Sequence, residues 1–170
     1  MKYLMKITGS ALLSLNLFGQ ASADGGSGAT TPDRKFAMMV AQTDLAEIQV
    51  GKLALQKAGS DQVKTIAQQL VDDHTKTSDA LKQIASSKGI TLPIEPDDKH
   101  KALATKLAGE SGDQFDKDFL AANSMDHHKV VLAFQKESTR GSDPDIKGFA
   151  TQFLPAIKQH TQMIDQAIKK

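Results

Sequence analysis

A chain of 170 residues with 21 basic and 20 acidic side chains, no cysteine, no tryptophan and only 5% aromatic residues has material for one domain with a sizeable core. Its charges are balanced and come in no long blocks of one sign, which excludes the clustered basic surface and stacking platforms that nucleic-acid binding needs. The absence of thiols excludes disulfides, a cysteine-linked lipid anchor and thiol nucleophiles.

Residues 1–23 carry Lys2 and Lys6, then an apolar run from Ile7 to Phe18, then Ala21-Ser22-Ala23. This is the pattern of a secretory signal cleaved near Ala23, and it places the mature chain in the periplasm or outside the cell. The apolar run is shorter than the roughly 20 residues a membrane helix needs, and no later segment approaches that length, so no membrane span is expected in the mature chain. Of the 21 basic residues two lie in this leader, which leaves 19 against 20 acidic ones. Residues 24–32, beginning DGGSGATT, are expected to form a flexible Gly/Ser tether, with the folded domain over 33–170.

Thr31-Pro32-Asp33 supplies a helix start, and Phe36, Val40, Thr43, Glu47, Val50 and Ala54 recur at helical spacing as far as Ala58. Gly59-Ser60-Asp61 stops this helix and caps a second, whose stripe of Val63, Ile66, Ala67, Leu70, His74, Leu81 and Ile84 runs to about Lys88. Gly89 and the two prolines at 93 and 96 break helical continuity and favour an extended crossover, with a short helix over 97–108. A third long helix is expected from Ser111 or Asp113 to Arg140. A fourth follows from Ser142-Asp143-Pro144 to the C-terminus, kinked locally by Pro155.

These segments repeat. LALQK at 53–57 answers LAFQK at 132–136, an offset that also places Phe36 on Phe115 and Glu47 on Asp126; VKTIAQQLV at 63–71 answers IKGFATQFL at 146–154. Neither αα-hairpin buries its apolar face alone, so two copies are expected to pack as an all-α, antiparallel four-helix bundle joined by a long crossover.

Each long helix has an ionisable residue on its apolar stripe: Glu47, His74, Asp126 and His160. At about 1.5 Å per residue from the two hairpin turns, their heights agree within about two helical turns. Two carboxylates and two imidazoles buried at one level must pair, exchange protons or bind a cation. They make a reasonable shell for zinc, iron, manganese or copper, with Asp73, His127 and Met163 as possible further members. The alternative is internal ion pairs that fix helix register, or a solvent-filled notch. A softer imidazole and thioether set, Met125, His127, His128, His160 and Met163, has the chemistry of a copper(I) site, although methionine on a helical stripe is usually core and His128 is expected to face solvent. Asp73 is expected to orient the His74 ring, and His100, in the crossover, to lie on the surface.

The stretches FAMMVAQTDLAEIQVGKLALQKA, VKTIAQQLVDDHTK, the DHH of the third helix and LPAIKQH of the fourth resemble the bacterial exported family known as domain of unknown function 4142, over essentially the whole mature chain. The resemblance implies a ferritin-like four-helix bundle delivered to the periplasm or outer envelope, and it brings no established activity. Ferritin-like di-iron sites take a glutamate from each of two helices and a Glu-x-x-His from each of the others. Glu47, Asp126, His74 and His160 match four of these positions, but Val71 and Ile157 stand where the glutamates of the two Glu-x-x-His motifs belong. The leading expectation is therefore a non-enzymatic bundle acting in metal handling or envelope stress. The rivals are a metal-dependent oxidoreductase of ferroxidase or catalase type, and a metal-free scaffold for an envelope partner or a second copy of the chain.

Overall fold

The structure, a computed structural model, describes residues 29–169. The expected signal sequence and most of the expected tether lie outside the described residues. Five helices follow in order: α1 (Thr31–Lys57), α2 (Asp61–Ser87), α3 (Asp98–Ala108), α4 (Gly112–Arg140) and α5 (Pro144–Ile168). The folded unit begins earlier than the tether reading placed it. Ala29 is already buried in the core, and both the backbone N–H and the hydroxyl of Thr30 donate to Asp33 at 2.7 Å, fixing the first turn of α1.

The starts of α2, α3 and α5 are capped by side chains, while Ser111 at the start of α4 makes no such bond. Ser60 accepts from the Val63 N–H, Asp97 from that of His100, and Asp143 from those of Asp145 and Ile146. Gly89 follows α2 at φ +61°, a conformation that residues with a Cβ rarely adopt. The crossover then carries α3 before α4 begins. Helix α5 continues through Pro155.

Helix α1 packs on α2 and α4, and α5 packs on α4 and α2, so each long helix has two long neighbours. The two hairpins hold each other's turns. Asp116, in the first turns of α4, accepts from the N–H groups of Gly59 and Ser60 at 2.9 and 2.8 Å, while Asp33 of α1 accepts from Ser142 N–H at 3.0 Å. Lys88, at the end of α2, adds an ion pair with Asp143 at 2.7 Å. These contacts put the α1–α2 turn beside the start of α4 and the α4–α5 turn beside the start of α1. The crossover therefore travels the length of the bundle, and α1 and α4 run antiparallel. Helices α1 and α2 touch most closely at Gly51, where an added Cβ would lie 2.6 Å from Cγ2 of Val71.

The core is divided into two tiers. One gathers Phe36, Leu81, Phe134 and Phe149 near the α4–α5 turn; the other gathers Leu70, Leu107, Phe115, Phe119 and Ile164 near the α1–α2 turn. The second includes Ala104 and Leu107 of α3, so the short helix belongs to the core. Between the tiers lies a buried polar layer of Thr43, Asp44, Glu47, His74, Thr77, Asn123, His127 and His160.

Candidate metal centre

Three helices each send one histidine into the polar layer. His74 of α2, His127 of α4 and His160 of α5 are at most 2% exposed, and their ring centroids stand 5.4–5.6 Å apart. One ring nitrogen of each lies within 4.8 Å of the others.

Each imidazole is anchored through one nitrogen. His74 Nδ1 pairs with Asp44 Oδ1 of α1 at 2.8 Å, His127 Nδ1 donates to the Asn123 carbonyl at 3.0 Å, and His160 Nε2 pairs with Asp73 Oδ2 of α2 at 3.0 Å. The remaining nitrogens, Nε2 of His74, Nε2 of His127 and Nδ1 of His160, are buried and accept no hydrogen bond among the described residues. An acceptor on one nitrogen fixes the neutral tautomer that leaves a lone pair on the other, which is how metal-ligating histidines are usually held.

The electrostatics separate the three rings. Burial, together with the neighbouring charges of His74 and His160, pushes His127 down to about 3. Burial and His74 push His160 down to about 4, against the pull of Asp73. Both are neutral at physiological pH. For His74 burial also works against charge, but the Asp44 bond and charge, with Glu47 and Asp73, outweigh it and raise the ring. Burial raises the Asp44 carboxyl in turn, against the His74 bond that pulls it down. Glu47, 4% exposed, is driven up to about 7, chiefly by burial. Its Oε1 stands 3.9 Å from His127 Nδ1, beside the three rings but outside their close group.

The sequence reading and the structure part company at several residues. Asp126 does not face the histidines. Neighbours on a helix point about 100° apart, and His127 takes the inward direction. The Asp126 carboxylate turns to the crossover instead, where it accepts from Lys99 Nζ at 2.6 Å and lies 3.4 Å from His100 Nε2. The His100 bond and Lys99 hold Asp126 well below the usual carboxylate range despite partial burial. His100, expected on the surface, is accordingly a half-buried latch between Asp97 and Asp126. Asp73 anchors His160 rather than His74, because the role next to His74 is filled by Asp44. The imidazole and thioether set does not assemble: Met125 and His128 are exposed, with His128 paired to Asp165 at 3.1 Å, and Met163 packs on the α3-side tier. Asp44 was missed, although a signal existed. It and His74 are equally distant in sequence from Gly59, at matching heights on the two arms of one hairpin.

Tetrahedral zinc with Zn–N of about 2.0–2.1 Å needs nitrogens about 3.4 Å apart. One ring nitrogen of each histidine lies within 4.8 Å of the others, near that spacing. Imidazole nitrogens suit zinc, copper, iron or nickel better than the hard cations magnesium and calcium. The residues present thus fit a single transition-metal ion, and the orphaned nitrogens are the observation that carries the fit.

Fold and layer together define an all-α protein of antiparallel long helices around a buried imidazole cluster. The chain belongs to the family described as domain of unknown function (DUF4142), whose match spans residues 19–167. A solved structure from Bacillus halodurans C-125, of a protein given a provisional spore-coat name, is similar in fold: the TM-score is 0.67 with 16% identity, over 83% of this chain and 88% of that one. No match was found among curated proteins.

Proposed function

We propose that the protein is an exported, ferritin-like bundle that binds one transition-metal ion through His74, His127 and His160 and serves metal handling in the cell envelope. The observation that carries this reading is the set of three buried ring nitrogens, one per helix, that are held by their opposite nitrogens and have no partner among the described residues. Leaving a buried polar atom unpaired costs about 1–3 kcal/mol, and a cation satisfies all three at once. Export rests on the signal-like first 23 residues.

Glu47 supports the same ion. A carboxyl held near neutrality by burial gains from a cation nearby, and its ionised form offsets part of the metal's charge. The oxidoreductase reading draws less support. A paired-iron centre lacks its bridging glutamates, because Val71 and Ile157 are buried apolar residues at those positions. The test is elemental analysis and zinc titration of the chain purified from the periplasm. One ion per chain is expected in the wild type, with loss in His74→Ala and His127→Ala; equal metal content in all three proteins would remove the proposal.

A further inference from the structure

The polar layer is sealed on most sides. Asp44 and Glu47 close it along α1 and Asn123 along α4, all nearly inaccessible, and α3 covers the Asp126 flank through Lys99 and His100. The seam between α2 and α5 differs. There a notch of about 80 Å³ is lined by Asp73 and Thr77 on α2 and by Phe153, Ala156 and His160 on α5.

Two features make this notch a passage. The first is Asp73, whose side chain is 24% exposed while that of His160 is 1% exposed. Its Oδ2 meets the outer nitrogen of His160 at 3.0 Å, and the inner nitrogen of the same ring is one of the three orphaned atoms. One carboxylate thus links solvent to the buried cluster through a single imidazole. The second is placement: the notch brings Asp73 of α2 and His160 of α5 to one opening in the seam. The other Asp73 oxygen is held at 2.9 Å by Lys76, an exposed ammonium in a surface pair of small net strength, which an incoming dication displaces.

We infer that the α2–α5 notch is the loading portal of the histidine cluster, and that Asp73 is the docking carboxylate that receives a divalent cation before the imidazoles take it. The inference rests on the metal reading above and adds the route. No covalent or redox step is involved: waters leave, the Lys76 ammonium swings out to solvent, and the ion passes from oxygen to nitrogen donors.

The test is stopped-flow uptake of cobalt(II), followed by its visible spectrum, in the full-length metal-free chain. Ala156→Leu fills the notch and leaves the three histidines intact; uptake should slow about tenfold or more, because binding then waits on a conformational opening. Release should slow equally, so that the equilibrium affinity is unchanged. Phe153→Ala widens the notch and should speed uptake. Asp73→Asn, which still accepts from His160, should slow it. Circular dichroism establishes that each variant is folded, and if Ala156→Leu fails to fold, Phe153→Ala decides alone. Stoichiometric binding at the wild-type rate in the folded notch variants overturns the portal and leaves the metal reading standing. A wild type that takes up no cobalt at these histidines overturns both.

Discussion

Replacing Glu47 with glutamine isolates the cost of keeping a carboxyl in the polar layer. Burial moves this group from 4.5 to about 7, which corresponds to about 3 kcal/mol of preference for its protonated form. A raised carboxyl contributes fully below its unfolded value and loses that contribution as pH rises through its folded value. Between 4.5 and about 7 the folded chain holds a proton that the unfolded chain has released, so stability falls with increasing pH across that window. Glutamine imitates the protonated form at every pH. Glu47→Gln should therefore be close to neutral near pH 4.5 and stabilising by about 3 kcal/mol at about pH 9. With a urea slope of about 2–3 kcal/mol per molar, the midpoint should rise by about 1–1.5 M at the alkaline end. The assay is urea denaturation with chelator present, followed by far-UV circular dichroism at several pH values. The His127 and His160 titrations are common to both proteins, whereas that of His74, which Glu47 helps to raise, shifts with the substitution. A difference between the proteins that stays constant with pH would refute the reasoning, since it would mean that His74 and its neighbours already compensate the Glu47 charge.

Two further substitutions probe the packing around the site. Asp44→Ala strips His74 of its 2.8 Å partner in a fully buried position and should cost about 3–5 kcal/mol in urea denaturation, with Asp44→Asn costing clearly less because an acceptor remains. Gly51→Ala drives a methyl group into Val71 across the α1–α2 seam and should cost about 1–3 kcal/mol, most of which the double variant with Val71→Ala should recover; a neutral single variant would show that the two helices separate at little expense.

Much of the architecture was legible from the chain. Period-3.6 stripes, the two Gly-Ser-Asp turns and the prolines after Gly89 located five helices because each signal acts locally, through capping, φ preference or a missing N–H. The internal repeat supplied the pairing of hairpins. The layer was legible in part. Glu47, His74 and His160 announced themselves as ionisable residues on apolar stripes, yet Asp126 and His127 are adjacent, and a stripe drawn from sequence does not decide which neighbour turns inward. That choice was made by Lys99 and His100 on the crossover, a non-local partner without periodicity to mark it. Asp44 escaped for the related reason that Thr43 beside it fits the stripe equally well; both are buried, because the inward arc of α1 is broader than one row.

The reciprocal clasp of the two hairpins bears on how the domain comes apart. Asp33 serves the far turn and Asp116 the near one, so each half of the chain finishes a bend that the other half starts. An intermediate with one hairpin formed and the other molten would strand backbone N–H donors at its own bend. Such a species gains little from being half built, and the halves are bound to appear and vanish as one thermodynamic unit.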